Sequence, residues 1–142
     1  MTIAPASVHL TIPNQPEFVS VARLTVAGVA SRMAFGLDAV EDIKIAVGEA
    51  CTNCIEHASL EQRGNTEIRI RCLMRPGALV IEVADDGQGF DPESVCVSAD
   101  DLDPFAGCGL GLLVIRSLMD EVELVSEPGG GTLVRFTKRL TK

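Results

Sequence analysis

A chain of 142 residues, 46% hydrophobic and 23% charged, suits one domain (residues 1–142) with a sizeable core and excludes a disordered polymer. Its formal net charge of −8 opposes direct nucleic-acid binding, which needs clustered Lys and Arg, and no apolar run reaches the ~18 residues of a membrane span. The first ten residues lack a basic-then-apolar leader pattern, and Cys51, Cys54, Cys72, Cys96 and Cys108 lack disulfide-scaffold spacing, so a cytoplasmic protein with reduced thiols is expected.

In chain order, residues 8–12 alternate as a short strand, and residues 13–16 form a turn whose Pro16 suits a helix start. Apolar residues then recur at Phe18, Val21, Ala22, Leu24, Val26, Val29 and Met33, which predicts a helix over residues 17–35 ending near Gly36. Asp38, with Glu41 three residues on, has capping-box spacing for a second helix to residue 58, with Ile43, Val47, Ala50, Cys51 and Cys54 on its core face. Residues 66–74 and 78–84, joined by Pro76-Gly77, read as an antiparallel hairpin with Arg69 and Arg71 on a wet face. The acidic stretch between Asp86 and Gly107 is longer than an ordinary connection. A third helix over residues 109–119, a strand over 122–126, a turn over 128–131 and a strand over 132–139 complete the chain. The order β, α, α, β, β, α, β, β predicts an α/β (α+β) two-layer sandwich, with helices on one face of a mixed, largely antiparallel sheet.

Three polar motifs interrupt this framework. Glu49, Asn53 and His57 lie four residues apart on the second helix and form one stripe, since each step drifts only about 40°. The small residues Ala46 and Ala50 separate that stripe from the core, so it faces either a cleft or plain solvent. In a cleft, Glu49 suits a general base that takes a proton from a hydroxyl, and the neutral amide oxygen of Asn53 suits Mg²⁺. His57 reads as a helix-end hydrogen-bonder.

The second motif, Asp85-Asp86-Gly87-Gln88-Gly89, follows a strand. It is either a tight turn or a base-recognition loop, in which Asp85 accepts a bond from an exocyclic amine while Gly87 and Gly89 let backbone approach the ring. In the third, Gly107-Cys108-Gly109-Leu110-Gly111 leads into a helix, as flexible loop glycines or as an anion site of free N–H groups. Neither a dinucleotide fingerprint nor a P-loop fits it, because no strand precedes it and the Lys-Ser or Lys-Thr pair is missing. Taken together in this order, they would supply base, metal ligand, adenine contact and phosphate cradle.

These motifs resemble the GHKL ATPases, the superfamily of gyrase, a heat-shock chaperone, histidine kinases and MutL. Glu49 to Asn53 is similar to its N box, Asp85 to Gly89 to its first glycine box, and Gly107 to Leu112 to its second. Within the superfamily the chain looks most like the bacterial anti-sigma-factor serine/threonine kinases, also at Ile43 to Ala50, at Leu118 to Val122 and at Gly131 to Leu140. The resemblance implies the Bergerat fold and Mg·ATP bound through Asn53, Asp85, Gly87, Gly89, Gly107, Gly109, Leu110 and Gly111. Thr132 would support Asp85. It further implies Glu49-assisted phosphoryl transfer to a serine or threonine of an anti-sigma-factor antagonist, and competing capture of a sigma factor, usually by a homodimer.

Residues 90–107 carry no Lys or Arg, where members of that family often place a basic residue. This departure keeps a second function in play: a nucleotide-gated anti-sigma or switch module with little catalysis. A detached histidine-kinase catalytic domain is a third, disfavoured by the short lid and by Met119-Asp120-Glu121-Val122. Cys51 and Cys54 lack the further ligands of a zinc site, and Cys108 lies where thiol modification would block nucleotide.

Overall fold

The computed structural model describes residues 6–57, 66–85, 110–127 and 131–140. Five strands, β1 (Ala6–Pro13), β2 (Glu67–Arg75), β3 (Ala78–Asp85), β4 (Glu121–Glu127) and β5 (Gly131–Arg139), form one sheet in the order β1-β2-β3-β5-β4. All four pairings are antiparallel, so the sheet is more uniform than the mixed one expected. Helices α1 (Val19–Arg32), α2 (Leu37–His57) and α3 (Leu110–Leu118) are the α-helical elements among the described residues. Alternation along the strands directs Ile68, Ile70, Cys72, Leu79, Ile81, Val83, Val134 and Phe136 into one core with Ile43, Val47, Cys51 and Ile115 of the helices.

Helix α1 begins after a single 3₁₀ turn, Pro16–Phe18, so Pro16 opens that turn and not the α-helix itself. The helix stops before Gly36. Ala34 takes the left-handed conformation (φ 67°), its N–H bonds Ser31 O, and the N–H of the buried Phe35 bonds Ala30 O. This is the bond pattern of a Schellman stop with alanine at the position glycine usually takes. Val21 and Leu24, two of the periodic apolar positions, face outward; Leu24 is 71% exposed.

Helix α2 starts at Leu37, one residue ahead of the expected cap, so Asp38 sits inside the first turn as an acid favoured by the helix dipole. Its expected core face is buried throughout, joined by Val40, Ala46 and Ile55. At the far end of α3, Lys138 Nζ caps Leu118 O at 2.7 Å and reaches Asp42 Oδ2 of α2 at 3.4 Å.

On the sheet face away from the helices, Arg71, Glu82, Arg135 and Glu123 stand opposite one another on β2, β3, β5 and β4. They form a ladder of ion pairs centred on Glu82, whose side chain is only 5% exposed. Burial works to raise the Glu82 pKa, but hydrogen bonds from Arg135 and Arg71 outweigh it and leave the carboxyl below its ordinary range.

Candidate functional site

Glu49 and Asn53 lie one turn apart on α2, on the side that meets α3. The contact is close because the facing residue has no side chain. A methyl group placed on Gly111 would lie 2.9 Å from Glu49 Oε2 and 3.2 Å from Asn53 Oδ1. The first turn of α3 thus rests against the carboxylate and amide oxygens of the first motif. Asn53 is buried and Glu49 half-buried, which settles the sequence ambiguity in favour of a seam between elements.

Asp85 is the last residue of β3 and not the first of the following turn. Strand alternation therefore turns it toward the helices, like Val83 and Ile81, and it is buried. Thr132 of β5 stands directly opposite Asp85 in register and is buried as well. Cys54 of α2 is buried on the core face of that helix. Burial chiefly, then the Asp85 charge, pushes the Cys54 pKa well up. Burial likewise raises Cys51 to about 12, against the pull of Arg23, and Cys72 to about 11. Burial thus favours the protonated form of all three thiols.

Glu49 and Asn53 thus meet Gly111 where α2 packs on α3, and Asp85 stands beside Thr132 at the end of β3. Leu110 opens α3 as the third motif requires. Gly87, Gly89, Gly107, Gly109 and Cys108 lie outside the described residues, as do residues 90–107 as a whole and the His57 side chain.

One neighbour escaped the sequence reading. Arg23 of α1 lies over Gly48, with Nε 2.7 Å from where a Cβ would sit, and lines a groove with Glu41, Lys44, Ile45 and Glu49. The one advance signal was a glycine in mid-helix, since Gly48 is the position that lets a long side chain lie flat on α2.

The arrangement offers a half-buried carboxylate beside a neutral amide oxygen, a helix start aimed at both, and a buried carboxylate at the sheet end. Residues 12–138 match the family model described as a histidine kinase-like ATPase domain. The chain belongs to the histidine kinase-like ATPase family. As a member of that family it uses ATP. Within this ATPase family it is 40% identical over 142 residues to the serine-protein kinase RsbW of Bacillus pumilus (strain SAFR-032), covering 95% of this chain and 86% of the relative. It is equally 40% identical to serine-protein kinase RsbW of Bacillus subtilis (strain 168), over 94% of this chain and 85% of that one. The chain is thus a serine-protein kinase type of histidine kinase-like ATPase.

Two solved structures share the fold. A Mycobacterium tuberculosis protein with RsbU and RsbW domains superposes with a TM-score of 0.72 at 18% identity, over 96% of this chain and 33% of that one. A histidine kinase domain from Erythrobacter litoralis gives 0.60 at 20% identity, over 99% and 70%.

Proposed function

We propose that this chain is an anti-sigma factor and protein kinase that moves the γ-phosphoryl of Mg·ATP to a serine or threonine of an anti-sigma-factor antagonist, and that also captures a sigma factor. The observation that carries the reading is the convergence of Glu49 Oε2 and Asn53 Oδ1 on the Cβ-less Gly111 at the start of α3. That gap brings α3's first-turn N–H groups beside a carboxylate and an amide, the set needed to hold a phosphate chain next to a base.

Each residue has a role in this reading. Asp85, with Thr132 opposite, accepts from the adenine amine, and Gly87 and Gly89 give the ring a close backbone approach. Gly107, Gly109, Leu110 and Gly111 present N–H groups to the phosphates. The Asn53 amide oxygen fits Mg²⁺, a hard cation that bound here would neutralise charge on the transferring phosphate. Glu49 takes the proton of the substrate hydroxyl as its oxygen bonds the γ-phosphorus; the bond to the bridging oxygen breaks and ADP leaves. Arg23 and Lys44, in the groove with Glu49, place positive charge beside the reacting groups. Ile45 of that groove and the neighbouring Leu24 and Val21 expose apolar surface on which a protein substrate would dock.

The test is incubation with an antagonist protein and γ-labelled ATP. Acid-stable phosphate on a serine or threonine supports the proposal, and acid-labile phosphate on a histidine contradicts it. A second reading, a nucleotide-gated binding module, is favoured by the absence of Lys and Arg from residues 90–107. ATP-dependent sigma-factor capture with no transfer to any antagonist would select it. The proposal includes a cytoplasmic location and a homodimer; sedimentation equilibrium giving one 15.1 kDa chain at all concentrations would remove the dimer.

A further inference from the structure

Lys138 is a cation on the helix-facing side of β5, where alternation sets it in line with the buried Thr132, Val134 and Phe136. A lysine seldom lies on such a face without partners, and this one has two. Its Nζ donates to the carbonyl of Leu118, the last residue of α3, at 2.7 Å and to Asp42 Oδ2 of α2 at 3.4 Å. One side chain of the sheet thus ties together the two helices of the candidate site. It does so at their far end, since the near end is the contact of Gly111 with Glu49 and Asn53. On α2, Glu49 and Asn53 follow Asp42 by seven and eleven residues, so both lie within about 20° of the Asp42 direction and all three share one seam. On α3, Leu118 follows Gly111 by seven residues, a rise of about 10 Å. The helix pair is therefore pinned at two places, whereas a rod pinned at one place can pivot. A tilt of about 5° about the Leu118 end carries Gly111 about 1 Å across Glu49 and Asn53.

We propose that Lys138 is a positioning residue for phosphoryl transfer: by clamping the C-terminal end of α3 to α2, it holds the first turn of α3 in place against Glu49 and Asn53. It touches neither nucleotide nor protein substrate and acts through the angle between the two helices. This inference rests on the proposed reading of Glu49 as the base and of the α3 start as the phosphate cradle. Strand β5 then serves the site from both ends, with Thr132 opposite Asp85 at one and Lys138 under the helix pair at the other.

The experiment compares full-length wild type, Lys138→Met, Lys138→Arg and Glu49→Gln in single-turnover transfer from γ-labelled ATP to an antagonist protein, well below the Tm of every variant, beside an Mg·ATP titration. Lys138→Met keeps the reach of the side chain and removes its charge and donors, which leaves the helix pair free to tilt. Transfer is expected to slow about tenfold, the effect of about half an ångström at the base, with the ATP Kd within about threefold. Lys138→Arg keeps a cation that can cap the last carbonyls of a helix and is expected to transfer within about threefold of wild type. Transfer by Lys138→Met at the wild-type rate, whatever its Tm, marks a merely structural role and overturns the proposal. Equal slowing of Lys138→Arg and Lys138→Met, with no rescue by the retained cation, also overturns it. If Lys138→Met does not fold, Asp42→Lys takes its place with the same expected slowing, since it sets two cations against each other from a side chain that is 34% exposed. Glu49→Gln separates the two levels of the argument. A slow Glu49→Gln together with a wild-type rate in Lys138→Met sinks only the role of Lys138. A wild-type rate in Glu49→Gln removes Glu49 as the base, and the role of Lys138 falls with it.

Discussion

Replacing Gly111 by alanine puts a methyl carbon 2.9 Å from Glu49 Oε2 and 3.2 Å from Asn53 Oδ1. Ordinary contact begins at 3.4 Å, so Glu49 Oε2 must retreat by about 0.5 Å and Asn53 Oδ1 by about 0.2 Å. Both atoms end flexible side chains, so the fold absorbs the shift cheaply, and alanine in a helix contributes up to about 1 kcal/mol over glycine. Chemistry is less tolerant. A misplacement of about 1 Å can cost on the order of 100-fold, so half that displacement of the base should slow phosphoryl transfer about tenfold. ATP affinity, which depends on more contacts than these, should stay within about threefold. The assay is single-turnover transfer from γ-labelled ATP to an antagonist, beside a thermal melt and a nucleotide titration. A variant that melts no lower than wild type and transfers at the wild-type rate would refute the placement of Glu49 and Asn53 against α3.

Three further outcomes follow from the fold. Ala34 is held at φ 67°, where a side chain is strained, so Ala34→Gly should raise stability by about 0.5–1 kcal/mol, a gain of a few degrees in Tm. A lower Tm would contradict the assigned helix stop. Glu82 has a depressed pKa in the folded state, so its contribution is complete above the ordinary carboxyl value of 4.5 and is lost as pH falls through the folded value. Denaturant melts should therefore show Glu82→Gln costing about 1–3 kcal/mol at pH 7 and progressively less in acid; a pH-independent cost would exclude the ion ladder as its source. Cys51, Cys54 and Cys72 are buried and protonated, so a thiol reagent followed by peptide mapping should label them only on unfolding. Rapid labelling of any of the three in the native protein would show that α2 or β2 packs less tightly than described.

The features legible in the sequence were those set by local geometry. Spacing by four was enough to place Glu49 and Asn53 on one stripe of α2, because helical periodicity is a property of the segment itself. Strand alternation likewise separated Arg69 and Arg71 from Ile68, Ile70 and Cys72. Features that depend on distant segments stayed hidden. The pairing of Asp85 with Thr132 follows from the β3 to β5 register across 47 residues of chain, and the local sequence offered it only through family resemblance. Cys54 reads as a core position in the sequence and is buried as one. Arg23 was silent because its groove exists only once α1 packs on α2. The stop of α1 was assigned to Gly36 on propensity, whereas the Ser31 and Ala30 carbonyls and the burial of Phe35 set it at Ala34 despite the strain.

The central claim is that Glu49 acts on the hydroxyl of a protein substrate while other groups hold the nucleotide. Glu49→Gln keeps the size and hydrogen-bonding reach of the side chain and removes its basicity, so it separates those two tasks. Measured with saturating Mg·ATP and an antagonist protein, this variant should transfer phosphate at least about 100-fold more slowly than wild type, with its ATP Kd within about threefold. Transfer at the wild-type rate, with ATP still bound, would contradict the account.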